Sequence, residues 1–167
     1  MSVTDELLAN AADYAQNFDL GDLALPPAKK LAVVACMDAR LNPYALLGLA
    51  EGDAHIIRNA GGVITADERR SLAISQRLLG TEEIILIQHT ACGMLTFTDD
   101  DFKREIEQET GIKPDWAAEA FTDVEANVLQ SIRRIEADPS IPRKDSIRGF
   151  VYEVESGKLR EVVARPN

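Results

Sequence analysis

A chain of 167 residues, 46% hydrophobic and 28% charged, is long enough to bury one core and too polar to live within a bilayer. Its net charge of −10 and pI near 4.7 exclude nucleic acid or an anionic membrane surface as partner, since no basic patch rises above the acidic background. No stretch is apolar enough to span a membrane and no basic-then-apolar leader opens the chain, so a cytoplasmic protein is expected.

In chain order, residues 4–17 read as a helix capped by Thr4, with Leu7, Leu8, Ala11, Ala12, Tyr14 and Ala15 on or near one face. Gly21 to Pro27 is a loop. A first strand covers Leu31–Cys36, a short helix covers Tyr44–Leu47 behind Asn42 and Pro43, and a second strand covers Ala54–Arg58. The Asn59–Gly62 loop leads to a helix capped by Thr65 or Asp67 and running through Leu79 to Gly80. A third strand is expected at Ile84–Gln88. Asp99-Asp100-Asp101 complements the dipole of a helix reaching Gln108, and lacks the alternation and glycine of a calcium loop. A helix over Thr122–Ala137 and strands Ile147–Val154 and Lys158–Val163, joined through Ser156-Gly157, complete the chain. The alternation predicts one α/β domain over 1–167, with 1–27 as N-terminal helix and arm and 28–167 as core. Lys29-Lys30 and Arg133-Arg134 read as solvated flanks.

Chemistry concentrates at Cys36, His89 and Cys92, which use both cysteines and one of two histidines. Cys36 closes the apolar run from Leu31, His89 closes the run from Ile84, and Cys92 follows three residues later. Functional groups gather at such strand ends in open α/β sheets. Two cysteines and a histidine form a recognised catalytic zinc set, three protein ligands with the fourth place open to water. The plainer readings are two buried apolar cysteines, or a Cys36–Cys92 disulfide.

Cys36-Met37-Asp38-Ala39-Arg40 followed by His89-Thr90-Ala91-Cys92-Gly93 resembles the β-class carbonic anhydrases. Arg58-Asn59-Ala60-Gly61-Gly62 resembles that family's loop after the second strand. The resemblance implies a mostly parallel central sheet of about four strands plus a C-terminal strand, with helices on both sides. It implies one Zn2+ per chain on Cys36, His89 and Cys92, with Asp38 and Arg40 as a dyad beside it. It also implies a homodimer or dimer of dimers, the N-terminal helix reaching across. Gln88 before the histidine and Met94 after Gly93 depart from the commoner motif and point to a short branch. That branch includes carbonic anhydrases and also hydrolases of carbonyl sulfide or carbon disulfide.

The residues explain such a chemistry. Zinc acidifies a bound water, and a carbonic anhydrase with three histidine ligands is the standard example of it. Two thiolates weaken that effect, and Arg40 supplies compensating positive charge. Arg40 also holds Asp38 ionised, so that Asp38 can accept a hydrogen bond from zinc hydroxide and aim it. Freed from Arg40, Asp38 becomes a possible fourth ligand in a closed, inactive state. Attack on a small linear heterocumulene then converts carbon dioxide to bicarbonate, or carbonyl sulfide to hydrogen sulfide and carbon dioxide. A non-enzymatic closed zinc or redox-sensing module is the third alternative. Ala60, Gly61 and Met94, with Val63, Leu95 and Phe97, are the expected pocket lining. His55, inside the second strand, reads as a satisfied histidine, leaving no evident imidazole proton shuttle.

Overall fold

The structure is a computed structural model that describes residues 2–164. Helix α1 (Val3–Gln16) is capped by Ser2, whose hydroxyl accepts from Asp5 N–H while the Asp5 carboxylate accepts from Ser2 N–H. Asp5 lies three residues past Ser2, which completes a capping box there and moves the start ahead of the expected Thr4. Strand β1 (Leu31–Cys36) leads to α2 (Pro43–Leu47), which has Asn42 as cap and proline in its first turn. Strand β2 (Ala54–Asn59) runs into a single 3₁₀ turn, Ala60–Gly62. Helix α3 (Ala66–Arg77) is capped by Thr65, with Glu68 bonding back to it, so the Thr65 alternative is the one adopted and the helix stops before Leu79.

Strand β3 (Glu83–His89) is followed by a second 3₁₀ turn, Gly93–Leu95. Helix α4 (Asp99–Thr110) starts at the Thr98 cap, and α5 (Val124–Ala137) starts at Asp123. Strands β4 (Ile147–Tyr152) and β5 (Leu159–Glu161) are shorter than the apolar runs suggested. An edge strand gains only the pairing its neighbour offers, and β5 meets β4 at Phe150–Tyr152 alone. Arg134 is not a solvated flank: its guanidinium bonds Ile64 O and Glu119, tying α5 to the segment before α3.

The sheet order is β2-β1-β3-β4-β5, parallel except for the antiparallel β4–β5 pair. Alternation along the strands makes two apolar layers. Ala32, Val34, Ile84 and Leu86 face Leu72 of α3 and Ile135 of α5. Val33, Ala35 and Ile87 face the other way, toward Leu41, Val63, Met94 and Phe121, with Leu46 and Leu47 of α2 packed on that layer. Among the described residues no helix is long and apolar enough to cross a membrane.

Helix α1 stands apart, for none of its residues is buried. Among the described residues, its polar tie to the core is Tyr14 Oη donating to Glu51 Oε1 at 2.6 Å.

Gly62 sits where the turn after β2 passes over the strands that carry the thiol and imidazole. Its φ is +63°, and a Cβ there would lie 2.8 Å from both Cys36 N and Ile87 O. Those are backbone atoms that cannot step aside. Gly80 has φ +73° with open space around it. Gly62→Ala therefore adds overpacking to left-handed strain and is expected to cost about 2–4 kcal/mol, against about 1 kcal/mol for Gly80→Ala. Urea unfolding of the two variants measures the difference.

Candidate metal centre

The carboxyl ends of parallel strands β1 and β3 lie side by side, with Ala35 level with Ile87. Cys36 and His89, each last in its strand, therefore emerge together, and the short turn after His89 brings Cys92 back to them. The two sulfurs and an imidazole nitrogen all lie within 4.8 Å of one another. Tetrahedral ligands at zinc bond lengths of about 2.0–2.3 Å stand roughly 3.5–3.8 Å apart, so the cluster has the right scale. All three residues are buried, and both cysteines are free thiols, not a disulfide.

The donor chemistry also fits. His89 Nδ1 lies 2.8 Å from Thr90 O, and a carbonyl only accepts, so Nδ1 carries the proton. Nε2 is thereby left as the free lone pair, buried and with no hydrogen-bond partner among the described residues. A backbone carbonyl fixing the tautomer in this way is the usual arrangement behind a metal-ligating histidine. Burial opposes charge on His89, but the adjacent Cys36 sulfur and Thr90 carbonyl outweigh it and raise its pKa above the ordinary value.

The two thiols shift each other in opposite directions. The hydrogen bond from Cys92 holds the Cys36 pKa down to about 4 against the cost of burial, helped by His89 and by the backbone N–H groups of Asp38 and Gly61. The same bond, with burial, pushes Cys92 up. A thiolate is thus stabilised here, as a metal-ligating sulfur requires.

Asp38 lies beside this cluster, its Oδ2 3.5 Å from His89 Nε2. Arg40 holds it by three bonds: backbone N–H and Nε to Oδ1, each at 2.9 Å, and Nη2 to Oδ2 at 2.8 Å. The Arg40 side chain and then its N–H are the main causes that keep the Asp38 carboxyl well below the usual range. Arg40 Nη2 also donates to Ala91 O at 3.1 Å, joining the β1 loop to the β3 loop. Ala91 adopts φ +50°, which turns its carbonyl out of the regular path.

Of the expected pocket residues, Ala60, Val63, Met94 and Phe97 line one mostly apolar cavity of about 440 Å³, whose other walls include Phe102, Trp116 and the polar Asn59, Thr65 and Glu68. Gly61 and Leu95 lie outside it. Gly61 is packed against Met94 and Phe121, and Leu95 packs on the core layer. The cavity does not include the thiols, His89 or Asp38, and Met37 beside them is 64% exposed. His55 Nδ1 bonds Ser75 Oγ at 2.7 Å, which bonds Thr81 Oγ1 in turn, so this ring is satisfied away from the cluster. The Asp99 carboxylate accepts from the N–H groups of Glu119 and Ala120 and serves as a loop anchor.

Sequence reasoning did not single out Trp116 or Phe102. They belong to a ring series, Phe97–Phe102 at 5.2 Å and Phe102–Trp116 at 6.3 Å, that only folding assembles. It also gave Arg58 no role of its own, although that guanidinium reaches the carbonyls of Cys36, Asp38 and Leu41. Long-range contacts of side chain to backbone leave no spacing signature.

The sequence matches the model of the carbonic anhydrase family over residues 31–159. It is 61% identical over 162 residues to beta-carbonic anhydrase 1 of Mycobacterium tuberculosis, covering 97% of this chain and 99% of that one. It is 34% identical over 182 residues to a carbon disulfide hydrolase of Saccharolobus solfataricus, covering 94% and 87%. Among solved structures, a carbonic anhydrase from Streptococcus mutans superposes with a TM-score of 0.89 at 41% identity, covering 98% and 99%.

The Asp38–Arg40 fork sets a pH signature. A carboxylate with a depressed folded pKa contributes stability that is fully present above its unfolded pKa of about 3.9 and is lost progressively as pH falls from there through the lower folded value. Carboxyl carbon NMR is expected to show Asp38 still ionised at pH 3, and Arg40→Gln is expected to return its titration to about pH 4.

Proposed function

The chain belongs to the β-carbonic anhydrase family, and on that premise we propose that it hydrates carbon dioxide to bicarbonate with one zinc ion held by Cys36, His89 and Cys92. The observation that carries this reading is the unsatisfied, buried His89 Nε2 facing two sulfurs, with the Arg40-held carboxylate of Asp38 at its side. The 61% identity to a beta-carbonic anhydrase over nearly the whole chain supports carbon dioxide as substrate. When bound, zinc supplies a nucleophilic oxygen near neutral pH by acidifying water.

The protein's own groups supply direction. Asp38 Oδ1 accepts two bonds from Arg40, whereas Oδ2, nearer the cluster, accepts one. Oδ2 therefore keeps a lone pair to accept a hydrogen bond from the attacking oxygen, and the depressed pKa keeps it an acceptor across the working range. Arg40 is held in turn by Ala91 O, so the acceptor cannot turn without breaking the link between the two loops. Ala60 and Met94, which line the cavity beside the cluster, offer a small apolar surface of the kind that suits a linear triatomic with little to hydrogen-bond, while Gly61 packs behind them against Met94 and Phe121. With His55 engaged by Ser75, the released proton passes to solvent buffer.

Hydrolysis of carbonyl sulfide or carbon disulfide uses the same groups, and the carbon disulfide hydrolase relative keeps that reading in play. A closed zinc or redox-sensing module requires Asp38 as fourth ligand, and the three bonds from Arg40 to that carboxylate favour the open arrangement. The two free thiols suit a reducing, cytoplasmic compartment.

The same reading includes a homodimer, with dimers of dimers as a further step. Val3, Leu7 and Leu8 on α1 are 73%, 58% and 63% exposed, an apolar stripe that a second copy would cover. Light scattering of a Leu7→Asp, Leu8→Asp variant is expected to give the 18.3 kDa protomer, and the native chain at least twice that mass.

Turnover decides the chemistry. Zinc-loaded protein is expected to hydrate carbon dioxide faster than it releases sulfide from carbonyl sulfide. Asp38→Ala is expected to keep its zinc and lose about 100-fold or more of the rate. The reverse substrate ratio makes it a carbonyl sulfide hydrolase, and loss of zinc from Asp38→Ala makes the site a closed module.

A further inference from the structure

Arg58, near the end of β2, aims its guanidinium at carbonyls of one loop. Nε and Nη2 donate to Cys36 O at 2.9 and 2.6 Å, and Nη2 also reaches Asp38 O and Leu41 O, each at 2.8 Å. These three carbonyls belong to the segment that leaves β1 and carries the first thiol, the Asp38 carboxylate and Arg40. We propose that Arg58 is a positioning residue that shapes this loop and thereby sets where the Asp38–Arg40 pair stands against the metal centre.

Beyond the burial of Leu41 at its end and the Arg40 bond to Ala91 O, the loop has little else to define it. Residues 37–42 have no helix or strand, Met37 is largely exposed, and the Arg40 side chain is 54% exposed. Its backbone ties are Met37 N–H to Asn59 O at 2.8 Å and Leu41 N–H to Asp38 O at 3.1 Å, with Asn42 O accepting from Leu46 N–H at 3.0 Å where α2 begins. Arg58 adds a pin at the start, the middle and the end, with charge-assisted bonds stronger than the neutral ones beside them. Orienting the Asp38 carbonyl orients its Cα–Cβ bond, and so the carboxylate. Lysine has no planar fork and cannot span the same three oxygens in fixed geometry.

The next residue extends the logic. Asn59 closes the following turn by donating Nδ2–H to Val63 O at 2.8 Å and accepting Val63 N–H at 3.1 Å. The end of β2 thus defines the β1 loop through Arg58 and the glycine turn through Asn59.

This role in turnover rests on Asp38 and Arg40 acting as proposed above, so the test reads the loop separately from the reaction. Arg58→Ala, Arg58→Gln and Arg58→Lys are compared with the native full chain. Three measurements are made: amide hydrogen exchange with and without zinc, zinc per chain, and kcat and KM for carbon dioxide. In Arg58→Ala and Arg58→Gln, exchange of the peptide spanning 36–41 is expected to rise about tenfold while the centres of β1 and β3 stay protected. Zinc content is expected to hold, kcat to fall roughly 10- to 100-fold with KM within about twofold, and Arg58→Lys to lie between. If Arg58→Ala does not fold, Arg58→Gln and Arg58→Lys carry the same readouts.

Unchanged exchange at 36–41 overturns the proposal. So does exchange that rises equally through β1 and β3, which marks a general stability role, or a raised KM at constant kcat, which places Arg58 on the substrate. If the native chain turns over no substrate, the functional reading fails while the exchange result still shows whether Arg58 holds the loop.

Discussion

The parallel pairing of β1 with β3 is the constraint on which the rest of the site depends. In parallel neighbours the carboxyl ends coincide, so a thiol ending one strand and an imidazole ending the other meet without any long loop to bring them together. Side-chain alternation gives the pairing its precision. Ile85, Ile87 and His89 share one face of β3, and Ile84, Leu86 and Gln88 the other. A slip of one residue would present Gln88 where His89 stands and turn the whole apolar set to the wrong layer. The same alternation accounts for Gln88, a residue that sets this motif apart. Its amide donates to Asn127 of α5 at 2.7 Å and to Gly62 O at 3.3 Å, so it acts on the far side of the sheet from the cluster.

Gly62 translates that sheet geometry into the site. With no side chain it lets the turn after β2 lie on the backbones of Cys36 and Ile87, and this brings Arg58 and Asn59 into reach of the loops they hold. The outcome is a local charge balance unlike that of the whole chain. A protein of net charge −10 places two guanidiniums, Arg40 and Arg58, next to two thiols and a carboxylate. Neither is replaceable by a point charge. Arg40 grips both oxygens of a carboxylate and a carbonyl of another loop, and Arg58 fans over three carbonyls, each a use of several directed donors at once.

Much of this was legible in the sequence, and the reasons differ by element. The grouping of Cys36, His89 and Cys92 and the strand ends were readable because β1 and β3 are continuous apolar runs that stop at Cys36 and His89, and because the chain has only two cysteines and two histidines. The Asp38–Arg40 fork was readable because its partners are two residues apart. Helix ends were harder: Ser2 displaced Thr4 as cap because reciprocal bonding with Asp5 outweighs preference for the more central threonine. The carbonyl contacts of Arg58, 17 to 22 residues away along the chain, were not legible, because any carbonyl looks the same in a sequence. The Phe97, Phe102 and Trp116 series was hidden for a related reason, since a loop and a helix separate its members.

The exposed rim of the site bears on how strong its electrostatics can be. Met37 and Arg40 stand open to solvent in the protomer, while the apolar cavity of Ala60, Val63, Met94 and Phe97 lies to one side and reaches none of the ligands. In water a fork such as Asp38–Arg40 is screened, and its hold on an attacking oxygen is correspondingly loose. In the proposed homodimer a second copy would cover apolar surface such as the α1 stripe and could shield this rim as well. Every charge-assisted bond around Asp38 would then strengthen in the drier, lower-dielectric setting. If the proposed homodimer covers both the unburied helix of the arm and the unwalled site, assembly would serve the chemistry by removing the water that weakens it.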